Sequence, residues 1–431
     1  MKEFKTYPVE IALGGDTKTY SPAFQQEEQF AEGWKKVLVM SHGKAVLRCL
    51  CAGEGEKRLS IHSIAAIDKF HLARFPDTGP EHAEDCVFWG ADPKASGMGA
   101  YRRGVVEELD DGNTKIKLKI GLQQRSTKAP EDAEQSEAKS AQANRKPGQT
   151  SMSLLGLLHF LWTQAGLNTW SPGKDKRTMG LVHYHLQRVA TSTYAGRIKL
   201  SQNLLIGAPA GGKQAVVNEA KSRAASTERR RLVVIAPLAK HHEESETAST
   251  LPISTYHGIP HLLMSTEIWD VLQKRFSREI NAWRSGNPSI VIVQTDPPKS
   301  SGGNTTAQVV DVSLMSVSQD WIPVDSSFEV LVAEKLVAEQ RRFEKPLRFD
   351  ADDVTFPDFW LKDVGAPMPM EVWGMTSADY QSRKAEKSAY YDETYGKDGW
   401  WSWNGAIGDD LPDFPSSLSQ APNDPAIGGS P

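Results

Sequence analysis

The chain has 431 residues, of which 39% are hydrophobic and 24% are charged, and its formal net charge is −4. This composition is that of a folded protein with room for about two to four domains, and it lacks the overall basic charge of many nucleic-acid-binding proteins. No run approaches the ~20 apolar residues that a membrane span needs, and the N-terminus has no apolar signal-peptide core. We therefore expect a multi-domain cytoplasmic protein with no membrane segment, which contacts any nucleic acid through a local patch.

All three cysteines fall in one short part of the chain, together with a histidine at suitable spacing. Cys49 and Cys51 are two residues apart and point to the same side of an extended strand. His82 and Cys86 are four residues apart and share one face of a helical turn. Three thiolates and one imidazole are the ligands of a closed tetrahedral zinc site. The pattern therefore predicts a structural zinc ion, which suits a reducing cytoplasm better than disulfides do.

Two alternatives to this zinc site stay open. His62 and His71 lie between the two pairs of residues and compete with His82 as the fourth ligand. The cysteines are also explained as small buried hydrophobic residues beside an unrelated histidine, since free cysteine is commonly buried.

A β-rich zinc-binding module is predicted around these residues, over 8–122. Its strand-like runs are 37–40, 45–47 and 114–120. From Gln124 to Thr150 the composition changes, because this segment has no aromatic residue and its only apolar side chains apart from proline are alanines. Such a segment cannot bury enough surface to offset its ordering entropy, so we expect 123–150 to be a disordered linker.

Residues 151–215 are predicted to be a helical region. Apolar residues recur at helical spacing in Leu154–Trp162, a second helical stretch covers 180–190, and a strand pair follows. This order fits a winged-helix unit whose second helix reads DNA, and it fits a plain helical subdomain or docking platform at least as well. The run Gly207–Lys213 has P-loop spacing, but Gln214 stands where the P-loop needs Ser or Thr, so a surface turn is the better interpretation.

An α/β connecting domain is predicted over 216–320. Apolar runs at 232–236 and 289–293 are typical of buried strands, and a helical stretch at 267–283 separates them. The end of the chain, 406–431, is rich in Gly, Pro, Asp and Ser, which indicates a disordered tail.

The region 321–405 carries the second chemical pattern. A predicted helix from Ser327 to about Arg342 contains Glu329, a Pro-Asp strand contains Asp358, a further strand contains Glu371, and a helix follows. This order of elements and acidic residues resembles the core of the PD-(D/E)XK nucleases. We therefore expect a restriction-endonuclease-like α/β core here, within an α+β multi-domain protein.

The resemblance implies a division of chemical roles. Asp358 and Glu371 would hold Mg²⁺ on adjacent strands, and Glu329 would assist as a third carboxylate. The lysine that positions the water in such enzymes is replaced here by Trp373. Candidates for that role on the following helix are Lys384 and Lys387. The alternative interpretation is a vestigial nuclease fold that only binds.

Short motifs between about residues 45 and 404 also resemble a family of bacterial proteins of uncharacterised function, carried by plasmids and integrative conjugative elements and noted for three cysteines. The matching motifs include Cys49-x-Cys51, Pro76-Asp-Thr-Gly79-x-x-His82-x-x-x-Cys86, Trp321-Ile-Pro323, Pro357-Asp358-Phe359, Glu371-Val-Trp-Gly374-Met375 and Trp401-Ser-Trp403. The resemblance implies a mobile-element setting and a nucleic-acid-linked role, with DNA as the expected partner and RNA or conjugation proteins as alternatives.

The function predicted from the sequence is thus a nucleic-acid-associated protein with Mg²⁺-dependent nuclease activity and a structural zinc site. The alternatives are a non-catalytic DNA- or partner-binding protein and, third, a protein-interaction scaffold.

Overall fold

The residues that a computed structural model of the chain describes are 4–64, 69–109, 111–124, 149–173, 177–351 and 356–418. The predicted linker lies almost wholly outside these ranges, and so does the last part of the predicted tail, 419–431. Within the described ranges no helix is long and apolar enough to cross a membrane.

Helices and strands alternate along the described chain, which makes it a mixed α+β protein, as predicted. In chain order the α-helices are α1 (Pro22–Gln26), α2 (Ala31–Ser41), α3 (Leu154–Gln164), α4 (Met179–Thr191), α5 (Lys213–Thr227), α6 (Thr266–Arg275), α7 (Ser277–Arg284), α8 (Ser327–Ala338) and α9 (Ala378–Tyr395). The strands are β1 (Val9–Leu13), β2 (Asp16–Tyr20), β3 (Val46–Cys49), β4 (Arg58–Ile64), β5 (Lys69–Arg74), β6 (Val106–Glu108), β7 (Thr114–Ile116), β8 (Thr169–Trp170), β9 (Thr193–Ala195), β10 (Ile198–Lys199), β11 (Leu204–Ile206), β12 (Val233–Pro237), β13 (His261–Leu263), β14 (Ser289–Thr295), β15 (Lys299–Ser301), β16 (Asn304–Ser316), β17 (Phe343–Glu344), β18 (Phe359–Leu361), β19 (Met368–Val372) and β20 (Trp401–Trp403).

Several helices begin where a Ser or Thr side chain accepts a hydrogen bond from an amide of the first helical turn, which stabilises the helix start. These capping residues are Ser153 of α3, Thr178 of α4, Ser265 of α6 and Ser326 of α8. The single helix predicted at 267–283 is two helices, because the backbone leaves the helical conformation at Phe276.

The cysteine-containing region is built on an antiparallel sheet in the order β2-β1-β3-β4-β5. Its inward residues alternate along the strands, as Leu47 and Cys49 do in β3, and they share a core with Leu38 of α2. The run 37–40 was predicted as a strand, and this prediction is wrong, because the run lies within α2. A short continuous apolar run does not by itself distinguish a strand from a helix.

A second sheet, in the order β10-β9-β7-β6, joins strands from both sides of the predicted linker. Strand β7 pairs in parallel with β9, and the hairpin β9–β10 extends the sheet. Ile116 of β7 shares a core with Leu157 and Trp162 of α3 and with Leu186 of α4. Helix α3 is therefore a buried core helix, and the strand pair after α4 is part of a larger sheet.

A six-stranded sheet contains β11-β12-β14-β16-β13 in that order, with β15 paired to β16. Val233 and Ile235 of β12 belong to the core that contains α3, whereas Val234 belongs to the core that contains α6 and α7. Burial on both faces requires apolar residues at every position, which explains the continuous apolar runs of β12 and β14. The strands predicted at 232–236 and 289–293 are confirmed.

The fourth sheet, in the order β20-β19-β18-β17-β8, contains Glu371 in β19. Glu329 lies on α8 as predicted, but Asp358 lies just before β18 and not in the predicted strand. Strands β17, β18 and β19 form an antiparallel meander, and β20 returns in parallel to β19 after α9. Val332 and Leu336 of α8 share a core with Phe359 and Met370. Helix α8 ends at Ala338, earlier than the predicted end near Arg342.

The first part of the predicted disordered tail, 406–418, packs against this sheet. Phe414 is buried, and its ring centroid lies 5.3 Å from that of Trp401. The amide of Leu418 donates a hydrogen bond to the carbonyl of Asp363. A few apolar side chains and backbone hydrogen bonds anchor a segment whose composition is otherwise typical of disorder.

Candidate metal centre and carboxylate cluster

The four predicted zinc ligands meet in the core of the first sheet. Their ligand atoms all lie within 4.8 Å of one another, and all four residues are buried. The Sγ atoms of Cys49 and Cys86 are 3.7 Å apart, and His82 Nδ1 lies 3.7 Å from Cys51 Sγ and 3.8 Å from Cys86 Sγ. A tetrahedral zinc ion with Zn–S bonds of about 2.3 Å separates two sulfurs by about 3.8 Å. The cluster could therefore hold a metal such as zinc, in a closed site with no position for substrate.

Two loops bring the ligands together. Cys49 ends β3 as predicted, but Cys51 lies in the bend that follows and not on the strand. His82 and Cys86 lie in a turn after a short 3₁₀ helix, where the Cys86 amide donates to the Ala83 carbonyl, and not on the predicted helical turn. Gly53 makes the close approach of the loops feasible, because a Cβ there would lie 2.2 Å from the carbonyl oxygen of Glu81.

Donor groups favour a thiolate at Cys49, whereas the contact with Cys49, followed by burial, raises the pKa of Cys86 above its usual range. The amide of Ala83 donates to Cys51 Sγ at 3.3 Å, and the amide of Phe88 donates to Cys86 Sγ at 3.4 Å. The Cys86 thiol, by donating to Cys49, lowers the pKa of Cys49 below its usual range although burial opposes this. Deprotonated sulfur is the form that binds zinc.

The competing histidines lie elsewhere. His62 and His71 face each other across β4 and β5, where His62 Nε2 is 2.6 Å from Ser60 Oγ and His71 Nε2 is 3.4 Å from the Asp111 carbonyl. Neither belongs to the cluster, whose histidine among the described residues is His82.

The acidic residues of the second pattern meet between β18 and β19. Phe359 pairs with Met370, and the amide of Asp358, the residue before β18, donates a hydrogen bond to the carbonyl of Met370, next to Glu371. Asp358 Oδ2 also accepts a hydrogen bond from the Val372 amide at 2.8 Å, which holds the carboxylate at the strand edge.

Glu371 is only 2% exposed and is held by α9. Its Oε1 accepts a hydrogen bond from the Tyr391 hydroxyl and pairs with Lys387 Nζ, each at 2.7 Å. Burial, followed by the charge of Asp358, raises the pKa of Glu371 to about 7, although the Lys387 ammonium opposes the shift. The effects of burial and of the Asp358 charge on Glu371 therefore outweigh the opposing effect of the Lys387 ammonium.

Lys345, which the sequence analysis missed, joins Glu329 to this cluster. Its Nζ lies 2.7 Å from Glu329 Oε2, 3.0 Å from Asp325 Oδ2 and 4.0 Å from Asp358 Oδ1, and the side chain is buried. Burial disfavours the ammonium, but the charges of these three carboxylates outweigh burial and raise the pKa of Lys345 above its usual range. The alternation of side chains along a strand could have identified Lys345 from the sequence. If the strand is extended past Glu344, Lys345 lies on the same side as the buried Phe343.

The two candidate lysines of α9 have different surroundings. Lys387 contacts Glu371, whereas Lys384 Nζ lies 5.3 Å from the centroid of the Trp373 ring. Asp363, the next carboxylate after Asp358 in the sequence, forms an ion pair with Arg341 at 2.8 Å. Lys387 is therefore the α9 lysine that the fold brings to the carboxylates.

Comparison with known families gives one match. The family described as "Protein of unknown function (DUF1173)" matches residues 24–406. The chain belongs to this family. The DUF1173 match contains both the cysteine–histidine cluster and the carboxylate cluster, so both lie within the part that defines the family. No curated protein and no solved structure matches the chain.

Proposed function

We propose that this DUF1173 protein processes nucleic acid by Mg²⁺-dependent phosphodiester hydrolysis, with the carboxylate cluster as the active site and zinc as a structural ion. The observation that carries the proposal is the position of the Asp358 carboxylate, which accepts a hydrogen bond from the amide of Val372, the residue after Glu371. Like charges on neighbouring carboxylates repel each other unless a cation lies between or beside them. The mobile-element setting rests on the sequence resemblance.

Carboxylate oxygens are the ligands that a hard divalent cation prefers. Asp358, just before β18, and Glu371 of β19 offer such oxygens, and a bound cation would offset the burial and the charge of Asp358 that raise the pKa of Glu371. When bound, Mg²⁺ would lower the pKa of a water molecule and neutralise charge on the scissile phosphate.

The chain's own residues divide the remaining work. Tyr391 and Lys387 fix the orientation of Glu371, because both contact the same carboxylate oxygen. The Lys387 ammonium is also placed to stabilise negative charge that develops on a phosphate beside Glu371. It would take over the role of the lysine that Trp373 replaces, which favours Lys387 over Lys384.

The second candidate function is a binding protein with a vestigial nuclease fold. The observation that favours it is the contact of both ammonium groups with the cluster, Lys345 with Glu329 and Lys387 with Glu371. These ion pairs provide part of the neutralising charge without any metal.

A cleavage assay distinguishes the two functions. Purified protein is incubated with labelled single-stranded DNA, duplex DNA and RNA, with Mg²⁺, Mn²⁺ or EDTA. We expect metal-dependent cleavage that is lost in Asp358→Asn and Glu371→Gln and kept in the matched control Glu334→Gln, whose side chain is exposed on α8. Cleavage that persists in both site variants would exclude this site. A wild-type protein that binds the DNA or RNA without cleaving it would favour the second candidate function, a non-catalytic binding protein.

A further inference from the structure

The outer face of the sheet β10-β9-β7-β6 carries a row of cations interrupted by one aromatic ring. Lys199 of β10 pairs with Tyr194 of β9, which pairs with Lys115 of β7. The residues beside them, Ile116 and Ala195, are buried, so the row lies on the opposite, outer face. The ring of Tyr194 is half-buried, and Lys199 Nζ lies 5.9 Å from its centroid.

Further cations extend this row. Lys117 is exposed two residues beyond Lys115, and Arg197 is exposed at the tip of the β9–β10 hairpin. Lys115, Lys117, Arg197 and Lys199 have no ion-pair partner among the residues that the structure describes. On a chain of net charge −4, this concentration of unpaired positive charge is local. The row ends at Glu107 of β6, which pairs with Lys115 in the sheet register.

We infer that this face, defined by Lys115, Lys117, Tyr194, Arg197 and Lys199 and called the basic sheet face below, binds single-stranded nucleic acid. The cations fit the spaced charges of a phosphate backbone, and the ring between them fits an unpaired base. A duplex presents its phosphates but keeps its bases stacked, so it would leave Tyr194 unused. The inference rests on the nucleic-acid role proposed above, but it involves none of the residues of the carboxylate cluster.

The charge contribution is tested by fluorescence anisotropy with a fluorescein-labelled oligothymidylate, with no added Mg²⁺ or Mn²⁺ so that no metal-dependent cleavage occurs and the cysteine cluster keeps its metal. The variant Lys115→Ala/Lys117→Ala/Lys199→Ala is compared with Lys18→Ala/Lys44→Ala/Lys397→Ala, a matched loss of charge from exposed lysines elsewhere. Each phosphate contact contributes about 0.7 to the slope of log affinity against log salt, so we expect the first variant to lower the slope by about 2. Equal affinity and equal slope in the two variants would overturn the inference.

The ring is tested separately. Tyr194→Ala should weaken binding by about tenfold with an unchanged salt slope, whereas Tyr194→Phe, which keeps the ring, should bind like the wild type. Thermal melting of each variant shows whether the fold is retained. Unchanged affinity of Tyr194→Ala, or tighter binding of duplex than of single strand by the wild type, would also overturn the inference.

The same experiments separate this inference from the proposed hydrolysis. Binding that depends on the basic sheet face, in a protein that never cleaves, would refute the proposed activity and support the inference. Cleavage together with binding that does not depend on this face would support the proposed activity and refute the inference.

Discussion

At the residue scale, the titration of Glu371 links its burial to stability. Its pKa is raised from 4.5 to about 7, so between these values the native state binds more protons than the unfolded state. Stability contributed by this group is therefore lost as the pH rises through that window. The loss amounts to about 3 kcal/mol once the pH exceeds both values.

The variant Glu371→Gln tests this linkage. Glutamine keeps an oxygen that accepts hydrogen bonds from Tyr391 and Lys387 but carries no charge to desolvate. We expect the free energy of unfolding of the variant, relative to the wild type, to be higher at pH 8 than at pH 5 in metal-free buffer. Urea titrations at both pH values measure it. The same difference in unfolding free energy between variant and wild type at both pH values would show that the pKa of Glu371 is not raised.

A second prediction at this scale concerns the zinc ligands. Cys86→Ser removes one sulfur from a closed four-ligand site, so zinc content should fall well below one ion per chain. His71→Ala is the matched control, because His71 lies outside the cluster, and it should keep its zinc. Elemental analysis of both purified variants provides the measurement. Zinc loss in His71→Ala together with retention in His82→Ala would reassign the fourth ligand.

At the scale of elements, Lys345 connects helix α8 to the residue that precedes β18. It is a buried ammonium between Glu329 on α8 and Asp358 just before β18. Removing one partner of a buried ion pair leaves an uncompensated charge, which costs more than the pair itself contributes.

Lys345→Met should therefore destabilise the protein by about 3–5 kcal/mol. Adding Glu329→Gln to that variant should recover a large part of the loss, because the unpaired carboxylate is then gone. Lys384→Met is the control and should change stability little, since Lys384 contacts a ring and no carboxylate in the described structure. Denaturant titrations of the wild type, Lys345→Met, Glu329→Gln and the double variant give the coupling energy between the two residues. Additive effects of the two substitutions would show that the pair does not interact.

The elements also show which patterns are informative locally. The runs of β12 and β14 were predicted correctly, because they are long, continuous and flanked by turn residues. The run 37–40 was misassigned, because four apolar residues fit a helix as well as a strand, and the surrounding amphipathic helix α2 decided the conformation.

At the scale of the whole molecule, the cysteine-containing sheet has its own buried cluster. It is tied to the C-terminal sheet by Glu84, which forms ion pairs with Arg342 at 2.6 Å and Lys362 at 2.7 Å. These partly exposed pairs are weak compared with the coordination of a metal such as zinc.

We therefore expect removal of zinc by a chelator to unfold the cysteine-containing sheet selectively. Hydrogen exchange should accelerate in β1–β5 and stay slow in β12, β14 and β19. Protection lost evenly over all sheets would show that the chain unfolds as one cooperative unit. Unchanged protection in protein shown to be zinc-free would show that the metal contributes no folding energy.

The sequence by itself identified the three cysteines as candidate metal ligands, with three histidines competing for the fourth place, and Asp358, Glu371 and Glu329 as the acidic residues of interest. Short-range spacing was sufficient for these candidates, because residues close together in the chain stay close together in the fold. Only the tertiary structure decided that His82 and not His71 completes the cluster, that Lys387 and not Lys384 reaches Glu371, and that Lys345 is buried among carboxylates. These choices depend on strand register and on packing between elements far apart in the chain, which no local pattern specifies.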